Sequence, residues 1–341
     1  MIDVTVVGGF LGAGKTTWLS RILEGGASVH AAGSVAVVVN DYASVGIDNW
    51  LLDSASGEAG GMSARLVAGG CVCCDRKEEL VSCLISLVGS AHRTGQPDGA
   101  GLSHIYIETS GVADPRSIVE VITEHPVLQA NLVLKELVVV VDGANGRSQL
   151  RHQELARAQV SCADRVVFSK LDLAAEDTFS SLAALVTRLN PTAGLSGAVD
   201  GRESPLTPGQ VALALEALPV EGERQWEREN FNPEAWTVQL SAQVCWAEYA
   251  LWLDAVTRTH PEHVLRSKGI IHTPNGPIVL QSVGRVIAQP RPVPPSERPA
   301  DSDPTSMVFI TQGLDQDLLA RSLHTFVPSA FQDRAPQAGA N

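Results

Sequence analysis

The stretch VTVVGGFLGAGKTT, residues 4–17, decides the fold. Its first four residues form an apolar, β-branched run of strand type. The rest contains G-x-x-x-x-G-K-[ST] at Gly9, Gly14, Lys15 and Thr16, and it opens a helical pattern that runs from Gly14 to Leu23. A phosphate-binding loop requires that context, strand before and helix after. Backbone N–H groups along Gly9, Gly12, Ala13, Gly14 and on into Lys15, Thr16 and Thr17 can close around a β-phosphate. Lys15 then reaches the β- and γ-phosphates, and the Thr16 hydroxyl can ligate Mg²⁺. The loop is therefore read as binding a nucleoside triphosphate, with Lys15 and Thr16 as catalytic candidates.

Further along, SVAVVVN, HIYIE, ELVVVVD and RVVFSK are Val- and Ile-rich runs of strand length. Between them lie helical patterns, such as residues 76–92 with Leu80, Val81, Leu84, Leu87 and Val88 at helical spacing. Continuous apolar strands joined by long crossovers indicate a parallel sheet covered on both faces. The expected fold class is α/β, with a mainly parallel sheet flanked by helices over residues 1–195. Gly, Pro and Glu accumulate over 196–235, which reads as a linker region. From 236 to 330 the strands WTVQLS, VLRSKGIIHT, PIVLQSVG and MVFITQG alternate with two helices, as in a smaller α+β domain. Residues 331–341 are polar and read as a frayed tail.

The chain has 25 Lys+Arg against 38 Asp+Glu, a net charge of −13 and a pI near 5.1. Such a surface repels a phosphate backbone, so nucleic acid is not an expected partner. The start lacks a basic n-region, and no apolar run approaches the roughly 20 residues of a membrane span. A cytoplasmic protein with no membrane partner is expected. Six cysteines in 341 residues do not form a disulfide framework.

The loop SKLD, Ser169–Asp172, follows the strand RVVF and has the form of a base-reading loop that places Lys170 and Asp172 on guanine. A carboxylate at Asp172 can accept both the ring N–H and the amino donors of guanine, a pairing adenine cannot offer. GTP is therefore favoured over ATP. HIYIETSGVADP ends a strand with Glu108 and then supplies Gly111. Glu108 can hold Mg²⁺ through water or orient an attacking water, while the Gly111 N–H can sense a γ-phosphate. Asp41, at the end of the strand VVVN, begins a loop where a GTPase keeps a nucleotide-ordered switch.

GGCVCCDRK, residues 69–77, places Cys71, Cys73 and Cys74 within four positions. Thiolates are soft ligands suited to Zn²⁺ or Co²⁺. In an extended segment adjacent thiols alternate sides, so two of the three converge and leave room for an outside ligand such as Asp41. An open site of that kind suits a carrier that must release its metal. A fixed zinc knot and a vicinal redox dithiol use the same residues and stay open as alternatives. Cys83, Cys162 and Cys245 read as packed or incidental.

GGFLGAGKTT, NDYASVGID, GGCVCC, ETSGVADP and SKLD, in that order, resemble the CobW-like metallochaperone GTPases. VLRSKGII and MVFITQG in the second domain are similar to theirs as well. The resemblance implies slow GTP hydrolysis with Mg²⁺, coupled to delivery of a transition metal to a client metalloprotein. Zinc stands first and cobalt second, at the C-x-C-C site. It also places Asp41 where relatives carry Glu, and His125, in ITEHPVL, where some carry a metal-binding His. A homodimer is compatible with it. The client alternatives are a nitrile hydratase activator and a cobalt insertion factor for cobalamin synthesis. Of another class is a GTP-dependent regulatory switch whose thiols sense redox state or metal.

Overall fold

The computed structural model describes residues 1–25, 34–40, 66–69, 77–93, 101–207, 209–210, 232–240, 244–293 and 305–331. It divides into two compact units, Met1–Arg228 and Glu229–Asn341.

Among the described residues the first unit has eight strands: β1 (Ile2–Gly8), β2 (Val35–Asn40), β3 (Leu66–Gly69), β4 (His104–Thr109), β5 (Leu132–Asp142), β6 (Arg165–Ser169), β7 (Gly194–Val199) and β8 (Arg202–Pro205). They lie side by side in the order β3-β2-β4-β1-β5-β6-β7-β8, parallel except for the last. Among the helices that accompany them are α1 (Lys15–Gly25), α2 (Lys77–Arg93), α3 (Arg116–Glu124), α4 (Pro126–Asn131), α5 (Gly146–His152), α6 (Glu154–Cys162) and α7 (Glu176–Leu189). Val4, Val6, Val7, Val37, Val38, Ile105, Ile107 and Val138 through Val140 have almost no exposed surface, so both faces of the sheet are covered. That burial is why these strands read as unbroken apolar runs rather than alternating ones.

The register decides which strand ends are neighbours. Val7 lies opposite Glu108, Gly8 opposite Val139, and Asp142 opposite Ser169. Asn40 lies opposite both Thr109 and Gly69. The chain leaves β1 toward β2 on one side, while β5, which follows β4, lies on the other side of β1. The carboxyl end of β1 thus sits at a reversal of strand order, where open α/β sheets bind ligands.

The sheet runs past residue 195 into the stretch read as a linker. β7 turns through Asp200 (φ 47°) and Gly201 (φ 73°) into antiparallel β8. Two successive positive φ values match the right-handed twist of a hairpin, and Asp-Gly supplies them at low cost. Glu203 on β8 then accepts bonds from Trp18 Nε1 (2.9 Å), Ser196 Oγ (2.6 Å) and the Arg165 guanidinium. Burial works against charge on Glu203, but these donors outweigh it and hold the carboxyl below its ordinary pKa.

The second unit is an antiparallel sheet of β9 (Pro233–Leu240), β10 (Val264–Thr273), β11 (Gly276–Val283), β12 (Val286–Ile287), β13 (Arg291–Pro292) and β14 (Thr305–Gln312), with helices α8 (Trp246–Thr259) and α9 (Gln316–Phe326). Tyr249, Trp252 and Leu253 of α8 pack with Leu319 and Leu323 of α9 and with Met307 and Phe309 of β14. Trp236 stacks on Phe309 at 5.0 Å, and Trp252 meets the same ring edge-on at 5.9 Å. The aromatic spacing on α8 therefore builds a core, with Trp246 packed at its margin.

Candidate nucleotide site

The loop between β1 and α1 is shaped by close backbone approach. Gly9 has φ 139°, and a Cβ there would lie 2.3 Å from the Val140 carbonyl oxygen on β5. Only glycine fits, and the loop can therefore curl over the sheet edge. Helix α1 opens at Lys15, so its first N–H groups point into the loop's concavity, the geometry that receives an anion. The Lys15 side chain is buried there, its Nζ donating to the carbonyls of Gly9 (3.0 Å) and Phe10 (3.4 Å).

Thr16 Oγ1 donates to Glu108 Oε1 at 2.7 Å, joining α1 to the end of β4 across 92 residues. Glu108 is buried between the ends of β1 and β2, with which its register pairs it. Gly111 follows two residues after β4. A Cβ on it would stand 2.7 Å from the Leu11 nitrogen and 2.8 Å from the Leu11 Cα, so its backbone lies against the phosphate loop. Gln159 on α6, itself buried, donates to the carbonyls of Ala113 (2.9 Å) and Gly111 (3.4 Å) and holds this segment in place. Gln149 on α5 reaches the Leu11 carbonyl at 3.4 Å.

At the end of β6, Ser169 Oγ donates to the Ala13 carbonyl at 2.6 Å. Lys170 adopts the left-handed conformation (φ 54°) and donates to the Gly12 carbonyl (2.7 Å) and to Asp142 Oδ2 (2.8 Å). Asp142, at the end of β5, accepts from the backbone N–H groups of Ala144 and Asn145, both at 2.9 Å. Burial raises its pKa, but the bonds from Lys170 and Asn145 outweigh burial, and the carboxyl titrates below its usual range. Asp172 follows in a single 3₁₀ turn, Leu171–Leu173, with its side chain exposed.

The structure thus gathers Gly9, Gly12, Ala13, Gly14, Lys15, Thr16, Glu108, Gly111 and Lys170 at one edge of the sheet, with Thr17 exposed on the first turn of α1 and Asp172 on the neighbouring loop. Asp41, Cys71, Cys73 and Cys74 lie outside the described residues. His125 sits at the junction of α3 and α4. Among the described residues no group of three or more His, Cys, Asp and Glu side chains converges on a common point. Asp142, Gln149 and Gln159 were not singled out by sequence reasoning. The Asp-Gly pair at 142–143 is a turn signal that marks the first. The two glutamines sit on helices with nothing local to distinguish them from solvated residues.

A phosphate loop at the reversal of strand order, tied by side chains to a lysine–aspartate loop on β6, places the first unit in the class of P-loop nucleotide-binding domains with GTPase architecture. Residues 3–196 match the CobW/HypB/UreG nucleotide-binding domain, and residues 234–327 match the cobalamin synthesis protein cobW C-terminal domain. The chain belongs to the CobW/HypB/UreG family. A zinc chaperone CobW from Pseudomonas aeruginosa is 29% identical, with 95% of this chain and 91% of that one aligned. The zinc chaperone YjiA of Escherichia coli is 31% identical over 175 residues, a match that spans 51% of each chain. The crystal structure of the Zn(II)-bound YjiA GTPase shares the fold, with a TM-score of 0.62 at 21% identity over 95% of this chain and 98% of that one. No described helix is long and apolar enough to cross a membrane.

Proposed function

We propose that this protein is a cytoplasmic GTPase metallochaperone. It binds GTP at the carboxyl edge of the first sheet and carries Zn²⁺, with Co²⁺ as the second choice, to a client metalloprotein. The cargo ion is held by Cys71, Cys73 and Cys74, with Asp41 as the outside ligand and His125 as a further candidate. Relatives named zinc chaperones support zinc as the cargo.

Within the site, Lys15 stabilises charge on the β- and γ-phosphate oxygens, and the backbone of residues 9–14 cradles them. Thr16 and Glu108 present hard oxygen donors 2.7 Å apart, a set that fits Mg²⁺. When bound, that ion neutralises negative charge on the phosphate oxygens. Glu108 also orients the attacking water through a hydrogen bond. Gly111 sets its N–H against the γ-phosphate position, and the Ser169–Asp172 loop selects guanine.

The observation that carries the reading is the register at the ends of β2, β3 and β4. Asn40, which precedes Asp41, lies beside Thr109, next after Glu108, and also beside Gly69, which precedes the cysteine run by two residues. Ordering of the Glu108–Gly111 segment by a γ-phosphate can therefore pass to the end of β2, which adjoins β4, and through β2 to the end of β3, so GTP and the cargo ion reinforce each other's binding. Linkage makes this reciprocal: each ligand tightens the other by the same factor.

The test is a Zn²⁺ and Co²⁺ titration against a competing chelator, with Mg²⁺ and either GDP or a non-hydrolysable GTP analogue. Wild type and the Cys73→Ser/Cys74→Ser variant are compared. Tighter binding with the analogue, lost in the variant, supports nucleotide-gated delivery. Equal binding in both nucleotide states sinks it and leaves a structural zinc site or a thiol switch.

A further inference from the structure

We propose that His260 and His263 form a second, open site for a borderline divalent transition ion such as Zn²⁺, located on the second unit. The inference rests on the two imidazoles alone and does not depend on nucleotide gating.

Helix α8 stops where Pro261 follows His260, because proline has no N–H to continue the ladder. His260 closes the helix with its own N–H on the Val256 carbonyl. The turn that follows is tied by two bonds into the His260 carbonyl, from the N–H groups of His263 and Val264, both at 3.0 Å. This turn brings the two rings together, with centroids 6.1 Å apart and planes at 73°. With metal–nitrogen bonds of about 2.0–2.1 Å, two imidazoles sharing one ion have ring centres roughly 5–6 Å apart.

The second observation fixes the proton. His263 Nδ1 lies 2.7 Å from the Gln312 carbonyl oxygen. A carbonyl only accepts, so Nδ1 carries the hydrogen and the neutral ring keeps its lone pair on Nε2. The Gln312 N–H in turn donates to the His263 carbonyl at 2.8 Å, so strand β14 grips this residue twice. Metal-binding histidines are oriented in this way, one ring nitrogen donating to a backbone carbonyl and the other facing the ion. His263 is exposed and His260 half-buried, so the pair is accessible to solvent. With two protein ligands and no third His, Cys, Asp or Glu converging among the described residues, the remaining positions fall to water or to a side chain of another protein. An open site of this kind exchanges its ion readily.

The test uses the full-length chain with Cys71, Cys73 and Cys74 all changed to Ser, so that only other ligands are read. Zn²⁺ binding is measured by chelator competition for this parent and for added His260→Gln, His263→Gln or His152→Gln. Loss of either member of the pair is expected to weaken one Zn²⁺ equivalent by about tenfold or more, with His152→Gln unchanged. His260→Gln leaves the His263–Gln312 bond intact, so its effect reads ligation and not folding. Should the triple serine chain not fold, the wild-type chain is titrated with Zn²⁺ and its imidazole nitrogens are followed by NMR. Joint shifts of the His263 Nε2 signal and of a ring-nitrogen signal of His260 support the site. Unchanged Zn²⁺ binding in both His260→Gln and His263→Gln, an equal loss in His152→Gln, or static ring-nitrogen signals of the pair overturn it.

Discussion

The phosphate loop and the Ser169–Asp172 loop sit on strands separated by β5 alone, yet they are held by different physics. The first is shaped by backbone: Gly9 passes so close to Val140 that no side chain fits, and the first turn of α1 supplies its donors. The second is held by side chains. Ser169 and Lys170 both reach back to carbonyls of the first loop, and Asp142 clamps Lys170 from β5. The phosphate loop is therefore constrained by steric exclusion, while the Ser169–Asp172 loop, which we propose reads the base, is tied to it by a few hydrogen bonds. Damage to the first should stop chemistry, whereas damage to the second should change affinity and selectivity.

Lys15→Ala is the harshest test of that division. Hydrolysis is expected to fall by about 10²–10³-fold or more, as for loss of a preorganised charge at a transition state. Single-turnover assays on a folded variant check it. Gly111→Ala comes next, because its methyl must displace the backbone of Leu11. A misplacement near 1 Å costs on the order of 10²-fold in rate, seen as lower kcat with the base preference kept. Asp172→Asn should weaken GDP binding by about tenfold or more and improve binding of a xanthine nucleotide, whose 2-oxo group accepts the new amide donor. Fluorescent-nucleotide competition reads both changes at once.

Smaller effects sharpen the comparison. Ser169→Ala leaves the buried Ala13 carbonyl without its 2.6 Å donor, at a cost of about 1–3 kcal/mol. Nucleotide affinity should drop while kcat at saturation stays near wild type. A kcat loss as deep as that of Lys15→Ala would erase the distinction between the loops. Asp142→Asn should cost about 1 kcal/mol of stability, read as the shift in denaturant midpoint multiplied by m. Because the folded pKa of Asp142 is depressed, its contribution is fully present above the ordinary carboxylate value of about 3.9. It is lost as pH falls through the lowered native value. The gap between wild type and Asp142→Asn should therefore be flat above about pH 5 and close only at lower pH.

Much of the fold was legible because its signals are local. The Val-rich strands follow from burial on both faces, and α1 and α2 follow from their spacing. The hairpin of β7 and β8 is the instructive difference. Its Asp-Gly turn was present at 200–201, but the charged and proline-containing residues around it read as linker. What holds β8 on the sheet is the bonding of half-buried Glu203 to Arg165, Ser196 and Trp18, partners with no local signature.

Local backbone chemistry written over about ten residues was enough to mark a phosphate loop, to single out its lysine and threonine as catalytic candidates, and to read a parallel sheet and a lysine–aspartate loop. Glycines, a lysine and a hydroxyl at fixed spacing carry that meaning wherever they stand after a strand. Only the tertiary structure decided that Ser169 hangs from Ala13 across 156 residues, that Thr16 meets Glu108, and that Gln159 braces Gly111. It also decided that His260 and His263 lie with ring centroids 6.1 Å apart and that His263 meets a carbonyl of β14. These contacts join residues with no periodic relation in the chain. Hydrogen bonds between them exist only once strand order and register have brought their carriers together.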